Sequence, residues 1–254
     1  MNKIDHLLCH KYAYLIKRWR ALCKRAGLKM KKIEDVDGYP CYEISSPALR
    51  DKGGIYLSAG IHGDEPAAVL GLLLWAEKNI QNVASLPLLI YPCLNPWGVE
   101  NNSRWDANGL DLNRLWDGSS STPLIARIMQ KLSEYTFSVS ACLHEDYEAL
   151  GTYLYAPGGK KEVRVQADAI LKAVQELIPR DTRRSIDGRK CTHGMIFPRP
   201  SKPPKEGIPE ALFLYENCGG LNFTLETPSE LDIGVRAEGH IQMITEVFQP
   251  YVKF

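Results

Sequence analysis

The sequence predicts an α/β fold: a mixed, mostly parallel β-sheet flanked by helices on both faces. Two observations predict it. Short apolar runs of strand length alternate along the chain with longer segments of helical periodicity, which is the order of elements in α/β sheets. The 254 residues are 44% hydrophobic and 24% charged, an ordinary composition for a compact domain with a substantial core. Because ligands of such sheets bind at strand ends, polar residues at those positions are the first candidates for a functional site.

The elements are justified in order by their patterns. Strands are recognised as short apolar or β-branched runs, and helices as longer segments with apolar residues three and four positions apart. Strands are predicted at 55–60, 86–93, 137–144 and 151–155, and helices at about 66–79, 122–135, 161–177 and 233–251. Five prolines crowd the segment from Phe197 to Pro209, which predicts an irregular loop. The alternating residues from Asn222 to Pro228 follow it as an extended segment.

The N-terminal region, residues 1–37, differs from the rest in charge. Residues 1–32 contain ten Lys and Arg and one Asp, a local net charge of +9 in a chain whose net charge is +1. Basic amphipathic helices bind anionic membranes or nucleic acid in some proteins and act as transit peptides in others. We expect instead that this helix docks its apolar stripe on the domain formed by residues 38–254. The stripe consists of Ile4, Leu8, Tyr12, Leu15, Ile16, Trp19, Leu22 and Cys23.

Cysteine content and hydropathy bear on location. The seven cysteines are odd in number, scattered, and contain no Cys-x-x-Cys pair, so a disulfide framework and a thiolate zinc site are not predicted. The N-terminus lacks the continuous apolar core of a signal peptide, and no run reaches membrane-spanning length. We therefore expect a cytoplasmic protein that neither spans a membrane nor binds nucleic acid. The oligomeric state stays open.

A candidate metal site comes from residues at two strand ends. His62 and Glu65 follow the strand at 55–60 with a spacing of three, and His144 ends the strand at 137–144. Two His and one Glu are a common ligand set of catalytic zinc, which keeps a fourth position for water. The sequence therefore predicts one Zn²⁺ per chain, which polarises a carbonyl and supplies hydroxide near neutral pH.

Between and beyond these ligands lie four further motifs. They are Asn95-Pro96-Trp97-Gly98, Arg104, the run Gly109-Leu110-Asp111-Leu112-Asn113-Arg114, and Glu226 within Thr224-Leu225-Glu226-Thr227-Pro228. With the His-x-x-Glu pair and the later His, this ordered set resembles the zinc carboxypeptidase superfamily. That superfamily includes metallocarboxypeptidases, murein peptide amidases and the succinylglutamate desuccinylase/aspartoacylase group. The resemblance covers about residues 55 to 230 and implies a zinc carboxypeptidase-like fold.

The resemblance also implies roles for individual residues. Glu226 would be the general base and then acid, and Arg104 would stabilise the negative charge of a tetrahedral intermediate. Asn113 and Arg114 would grip a free carboxylate of the substrate. Tyr215 is expected to close over the substrate from the proline-rich loop, with Tyr153 and Tyr155 as competitors. Asp111 is expected to orient a ligand histidine, and His193 is a weaker ligand candidate.

Three functions remain open on the sequence. The first is a zinc metallocarboxypeptidase or peptide amidase that releases a residue bearing a free carboxylate. The second is an amidohydrolase of N-acyl amino acids, as in the desuccinylase and aspartoacylase branch. The third is a non-catalytic zinc- or carboxylate-binding protein. The motifs favour the first, and the chain ends about 28 residues after Glu226, too soon for the C-terminal β-rich domain of aspartoacylases.

Overall fold

The computed structural model describes residues 7–118, 122–198 and 205–251, which form one ten-stranded sheet with helices on both faces. The strands are β1 Lys29–Val36, β2 Tyr39–Ser45, β3 Lys52–Ala59, β4 Leu88–Tyr91, β5 Thr136–Asp146, β6 Tyr153–Tyr155, β7 Ser185–Ile186, β8 Arg189–Thr192, β9 Met195–Ile196 and β10 Leu221–Pro228. The helices are α1 Tyr12–Ala26, α2 Pro66–Lys78, α3 Ile80–Ser85, α4 Pro96–Asn101, α5 Pro123–Leu132, α6 Lys161–Val174, α7 Glu210–Asn217 and α8 Ile233–Phe248. Short 3₁₀ turns lie at Leu112–Arg114 and Gln249–Tyr251.

The predicted mixed α/β sheet is confirmed, but the prediction that it is mostly parallel is only partly right. The strand order is β1-β2-β4-β3-β5-β10-β6-β9-β8-β7. The centre, β4-β3-β5-β10, is parallel, whereas five of the nine pairings described are antiparallel. Three of the antiparallel pairs, β1-β2, β7-β8 and β8-β9, join consecutive strands through short turns rather than helical crossovers. The other two, β2-β4 and β6-β10, lie at the borders of the parallel centre.

Each face of the sheet packs on its own helices. The larger core lies on the face covered by α1, α2, α6 and α8, and includes Trp19, Leu70 and Ile244. The smaller core lies on the other face, under α5 and α7, and includes Ile125 and Phe213. Because strand residues alternate between faces, each residue of the central strands is assigned to one of these two layers.

The N-terminal region is shorter as a helix than the predicted span. Helix α1 ends at Ala26, where Gly27 adopts a left-handed conformation (φ 65°) as the C-cap. The next residues form β1, an edge strand paired with β2, so residues 29–36 belong to the sheet rather than to the helix. The apolar stripe of α1 lies in the larger core, with Trp19 fully buried. Residues 1–6 of the predicted helix lie outside the described part of the chain.

No helix among the described residues is both long and apolar enough to cross a bilayer.

Candidate metal centre

The three predicted metal ligands come together at the carboxyl ends of the central parallel strands. His62 and Glu65 lie in the short connection from β3 to α2, and His144 lies near the end of β5. Because β3 and β5 are parallel neighbours, their ends meet at the same edge of the sheet. All three side chains are buried. Their candidate ligand atoms lie within 4.8 Å of one another, so His62, Glu65 and His144 form a candidate metal-binding group, the metal group.

The carboxylate of Glu65 lies between the two imidazoles. His62 Nδ1 is 2.6 Å from Glu65 Oε1, and His144 Nδ1 is 2.9 Å from Glu65 Oε2. Both rings therefore direct the same nitrogen toward one carboxylate. This convergence of two imidazole nitrogens and a carboxylate fits the His₂Glu set of a zinc site.

The electrostatics of the group favour a positive charge at its centre. Burial lowers the pKa of His62, but the Glu65 and Asp111 carboxylates outweigh it and raise the pKa to about 9. Burial raises the pKa of the Glu65 carboxyl, yet the two rings hold that pKa well below its usual range. Since metal ligation requires neutral imidazole and ionised carboxylate, a divalent cation would replace the protons that the group attracts.

Asp111 links the metal group to Arg104. Its Oδ1 accepts a hydrogen bond from His62 Nε2 at 3.2 Å, and its Oδ2 accepts from Arg104 Nη2 at 2.9 Å and Nε at 3.2 Å. A ligand histidine held by a carboxylate through its second nitrogen is the usual arrangement around zinc. Asp111 therefore stands where the sequence interpretation expects an orienting residue. It also holds the Arg104 guanidinium beside the metal group, with Nη1 at 3.4 Å from His62 Nδ1.

The Asn95-Pro96-Trp97-Gly98 motif contacts the backbone on both sides of the metal group, next to Arg104 and next to His62. Asn95 Oδ1 accepts from Gly98 N at 2.8 Å and caps α4, while Asn95 Nδ2 donates to the Trp105 carbonyl at 3.1 Å, beside Arg104. Gly63 lies between His62 and Glu65, in the connection from β3 to α2. It packs directly on the Gly98 backbone, and its N–H donates to the Ser103 carbonyl at 2.9 Å. The motif thus holds the β3–α2 connection against the residues on either side of Arg104.

Glu226 lies beside His144 on the neighbouring strand. The two residues are paired in register between β10 and β5, so their side chains point to the same face of the sheet. Glu226 is 8% exposed. Burial raises the pKa of its carboxyl well above the usual value, against the attraction of His144 and with the support of Glu65. A buried carboxyl that holds its proton readily and lies next to the metal group is suited to proton transfer.

Asn113 and Arg114 lie on the 3₁₀ turn that follows Asp111. The side-chain oxygen of Asn113 accepts from the Glu210 N–H at 2.9 Å, at the start of α7. This bond orients the Asn113 amide, whose NH₂ is the hydrogen-bond donor of the side chain. Arg114 is half-buried, and its Nη1 donates to the Asn113 carbonyl at 2.9 Å. The turn is attached to the segment before α7 by a β-bridge between Leu115 and Ile208.

Tyr215, which is expected to close over the substrate, does not lie beside the metal group in this structure. It lies in the middle of α7 rather than on a loop, and its hydroxyl lies against Gly158, in the turn after β6. Because β6 runs antiparallel to β10, that turn lies toward the start of β10 and away from Glu226. His193 is likewise outside the group: it is exposed, with φ 52°, in the turn between β8 and β9. Residues 199–204 of the proline-rich segment from Phe197 to Pro209 lie outside the described residues.

The competing tyrosines lie closer to Glu226. Tyr153 is paired with Glu226 across β6 and β10, and its hydroxyl donates to Asp146 Oδ2 at 3.0 Å. Arg183 Nη2 donates to the same oxygen at 2.9 Å. The hydroxyl of Tyr155 donates to Asp187 Oδ2 at 2.5 Å. Sequence reasoning missed this polar group beside Glu226, because Arg183 and Asp187 are distant in the chain from β5 and carry no motif.

The family model for the succinylglutamate desuccinylase/aspartoacylase catalytic domain matches residues 52–180. A comparison with curated protein sequences finds no match. Among solved structures, the "putative metallopeptidase" of Shewanella amazonensis SB2B superposes with a TM-score of 0.84 at 18% identity, over 95% of this chain and 94% of that one. The metallo-carboxypeptidase from Pseudomonas aeruginosa, in complex with (2-guanidinoethylmercapto)succinic acid, gives a TM-score of 0.60 at 18% identity, over 91% of this chain and 68% of that one.

At these identities the structural matches show the fold, which is that of the metallocarboxypeptidases. The predicted resemblance to the zinc carboxypeptidase superfamily is confirmed by the two comparisons together. The family model spans just over half of the chain and includes His62, Glu65, Arg104, Arg114 and His144. The chain therefore belongs to the succinylglutamate desuccinylase/aspartoacylase catalytic-domain family.

Proposed function

We propose that this protein is a zinc-dependent hydrolase that cleaves an amide bond next to a residue bearing a free carboxylate. The observation that carries the proposal is the convergence of His62 Nδ1, His144 Nδ1 and the Glu65 carboxylate, with Asp111 on the second nitrogen of His62. Zinc held by these three residues would polarise the scissile carbonyl and lower the pKa of a water molecule.

The other residues supply charge and proton movement. Arg104, held by Asp111 beside the ligands, faces the negative charge that develops on the carbonyl oxygen. Glu226 takes a proton from the attacking water and delivers it to the leaving nitrogen, work that contributes about 10²–10⁴-fold to the rate. The Arg114 guanidinium and the Asn113 amide NH₂ both donate hydrogen bonds, as recognition of a carboxylate requires.

Two substrate classes satisfy this arrangement. The family match favours an N-acyl amino acid, because the matching model describes the desuccinylase and aspartoacylase catalytic domain. Peptide cleavage is supported by the fold shared, over nearly the full length of both chains, with the "putative metallopeptidase" of Shewanella amazonensis. We propose peptide cleavage as the first function and N-acyl amino acid hydrolysis as the alternative. Activity of the purified protein on matched libraries of the two classes separates them.

The metal assignment is tested by His144→Ala. We expect the wild-type protein to hold about one zinc per chain and the variant to lose most of it together with its hydrolytic activity, because two remaining ligands bind zinc weakly. Elemental analysis after dialysis measures the metal content. Undiminished stoichiometric zinc in the variant would remove His144 from the ligand set. A matched control is His193→Ala, whose exposed side chain lies outside the described ligand group.

The carboxylate requirement is tested by amidating the carboxylate of the substrate. Removing the charged partner of Arg114 should cost about 1–3 kcal/mol of transition-state binding, a fall of roughly 5- to 150-fold in kcat/KM. Arg114→Lys, which keeps the charge but not the two-pronged geometry, should show a smaller loss on the free carboxylate. Equal kcat/KM on free and amidated substrates would assign Arg114 another role.

We also infer a reducing, cytoplasmic compartment for this activity. Six cysteines, at positions 23, 41, 93, 142, 191 and 218, are buried free thiols. Buried thiols of this kind behave as small hydrophobic residues, and burial raises the pKa of Cys142 well above its usual value, which keeps it unreactive.

A further inference from the structure

Glu145 follows the ligand His144 directly but lies on the opposite face of the sheet. Successive residues of a strand alternate in direction, so when His144 points to the metal group Glu145 points into the helix layer of α2 and α8. Its side chain is fully buried. A buried carboxylate is costly unless it is paired and hydrogen-bonded, so the partners of this residue define its role.

The first partner of Glu145 is the start of helix α2. Its Oε1 accepts from the backbone N–H of Ala67 at 2.5 Å and of Ala68 at 3.2 Å. Helix α2 begins at Pro66, immediately after the ligand Glu65, which occupies the N-cap position without capping the helix through its own side chain. Glu145 therefore accepts hydrogen bonds from two first-turn N–H groups that have no partner within the helix. It also places a negative charge at the positive end of the helix.

The second partner is Arg236 of α8. Its Nη1 donates to Glu145 Oε2, and the guanidinium is itself largely buried. One turn further along α8, the His240 ring lies 3.1 Å, from Nε2, from the hydroxyl of Thr227. Thr227 follows Glu226 and is paired in register with Glu145. One face of α8 thus contacts, through Arg236 and His240, the residues that follow both the ligand His144 and the proposed base Glu226.

We propose that Glu145, held by Arg236, is a positioning residue for the metal centre. It joins the strand that carries His144 to the helix whose start carries Glu65, and so sets the distance between two ligands that are 79 positions apart in the chain. This inference rests on the proposed function, since it assumes that His62, Glu65 and His144 bind zinc. Glu145 does not touch the metal; it acts through α2. The same contacts exclude it as a proton carrier, because it faces away from Glu226.

The test is the zinc affinity of Glu145→Gln, measured by competition with a chromophoric chelator on the folded protein. The carboxylate accepts hydrogen bonds at both oxygens, from α2 on one side and Arg236 on the other. A glutamine amide has one acceptor, so in either orientation its NH₂ opposes another donor. We expect the zinc affinity to fall by about 10- to 100-fold, the usual effect of losing a partner that orients a ligand.

Two further variants separate positioning from general stability. Glu77→Ala removes an ion pair with Arg18 at the other end of the same helix and is the matched control. We expect it to leave zinc affinity unchanged. In the double variant Glu145→Gln, Arg236→Gln, the guanidinium at position 236 is replaced by an amide. The oxygen of this amide accepts a hydrogen bond from the NH₂ introduced at position 145. We expect this variant to regain part of the zinc affinity.

The outcomes are distinct. If wild-type protein binds no zinc, the proposed function fails. If the wild type binds zinc and folded Glu145→Gln binds it with unchanged affinity, the positioning role is overturned and Glu145 only stabilises the fold. If Glu145→Gln does not fold, Glu145→Asp, which keeps both acceptors on a shorter side chain, is measured in its place, with weakened zinc binding as the expected result. Failure of both variants to fold would also overturn the positioning role.

Discussion

The strongest steric prediction concerns Gly63, between the proposed zinc ligands His62 and Glu65. A β-carbon built on Gly63 would lie 1.9 Å from the carbonyl carbon of Gly98 and 2.2 Å from the nitrogen of Val99. Both neighbours are backbone atoms of the α4 segment, which is capped by Asn95. They cannot rotate away as a flexible side chain would, so Gly63→Ala must move one segment relative to the other.

The size of the movement follows from the contact distances. Separation from 1.9 Å to the 3.4 Å of an ordinary contact requires a displacement of about 1.5 Å. Metal sites tolerate about 0.2 Å in ligand distance, so His62 and Glu65 could not both stay in place. We expect zinc affinity to fall by at least about 100-fold, which corresponds to about 2.8 kcal/mol. Overpacking should also lower the free energy of unfolding by about 1–3 kcal/mol.

The assay combines chelator competition for zinc with urea denaturation of the metal-free protein. Gly27→Ala is the matched control: its β-carbon would meet no atom within 4 Å, and only its left-handed φ of 65° opposes the substitution. This control should lose about 1–2 kcal/mol of stability and keep its zinc affinity. Gly63→Ala protein that binds zinc as tightly as the wild type would refute the argument that this backbone contact positions the ligands.

Three further predictions follow from the buried residues. Glu226→Gln should retain zinc and fold normally while kcat falls by about 10²–10⁴-fold, and a near-normal rate would assign proton transfer to another residue. Burial raises the pKa of Glu210, which accepts from the Tyr56 hydroxyl, so the unfolding free energy of the wild type should decrease as pH rises above about 4.5. Glu210→Gln should flatten this slope in urea titrations, and an unchanged slope would contradict the assignment. Trp19→Ala should cost about 3–5 kcal/mol in thermal unfolding if α1 is part of the core, whereas a loss below 1 kcal/mol, roughly a surface effect, would indicate a loosely attached helix.

Local patterns predicted the elements that carry the metal group. Helix α2 was expected at 66–79 and is observed at Pro66–Lys78, because its apolar residues and the N-terminal proline are signals within one segment. The strand ending near His144 is predictable for the same reason, and it continues two residues further than expected, to Asp146. The ligand pattern could be recognised because His62 and Glu65 are neighbours in the chain and His144 stands at a strand end.

The sequence by itself determined the α/β class, the candidate ligands and the family resemblance, since each is written in residues close together or in an ordered series of motifs. Only the tertiary structure decided which side chains meet across long separations. It placed Glu145 on Arg236 and on the start of α2, and Tyr215 away from Glu226, because strand alternation and the antiparallel course of β6 fix those directions in space. It also decided that β2 pairs antiparallel with β4 and β6 antiparallel with β10, because the direction in which a strand enters the sheet depends on which neighbour it pairs with.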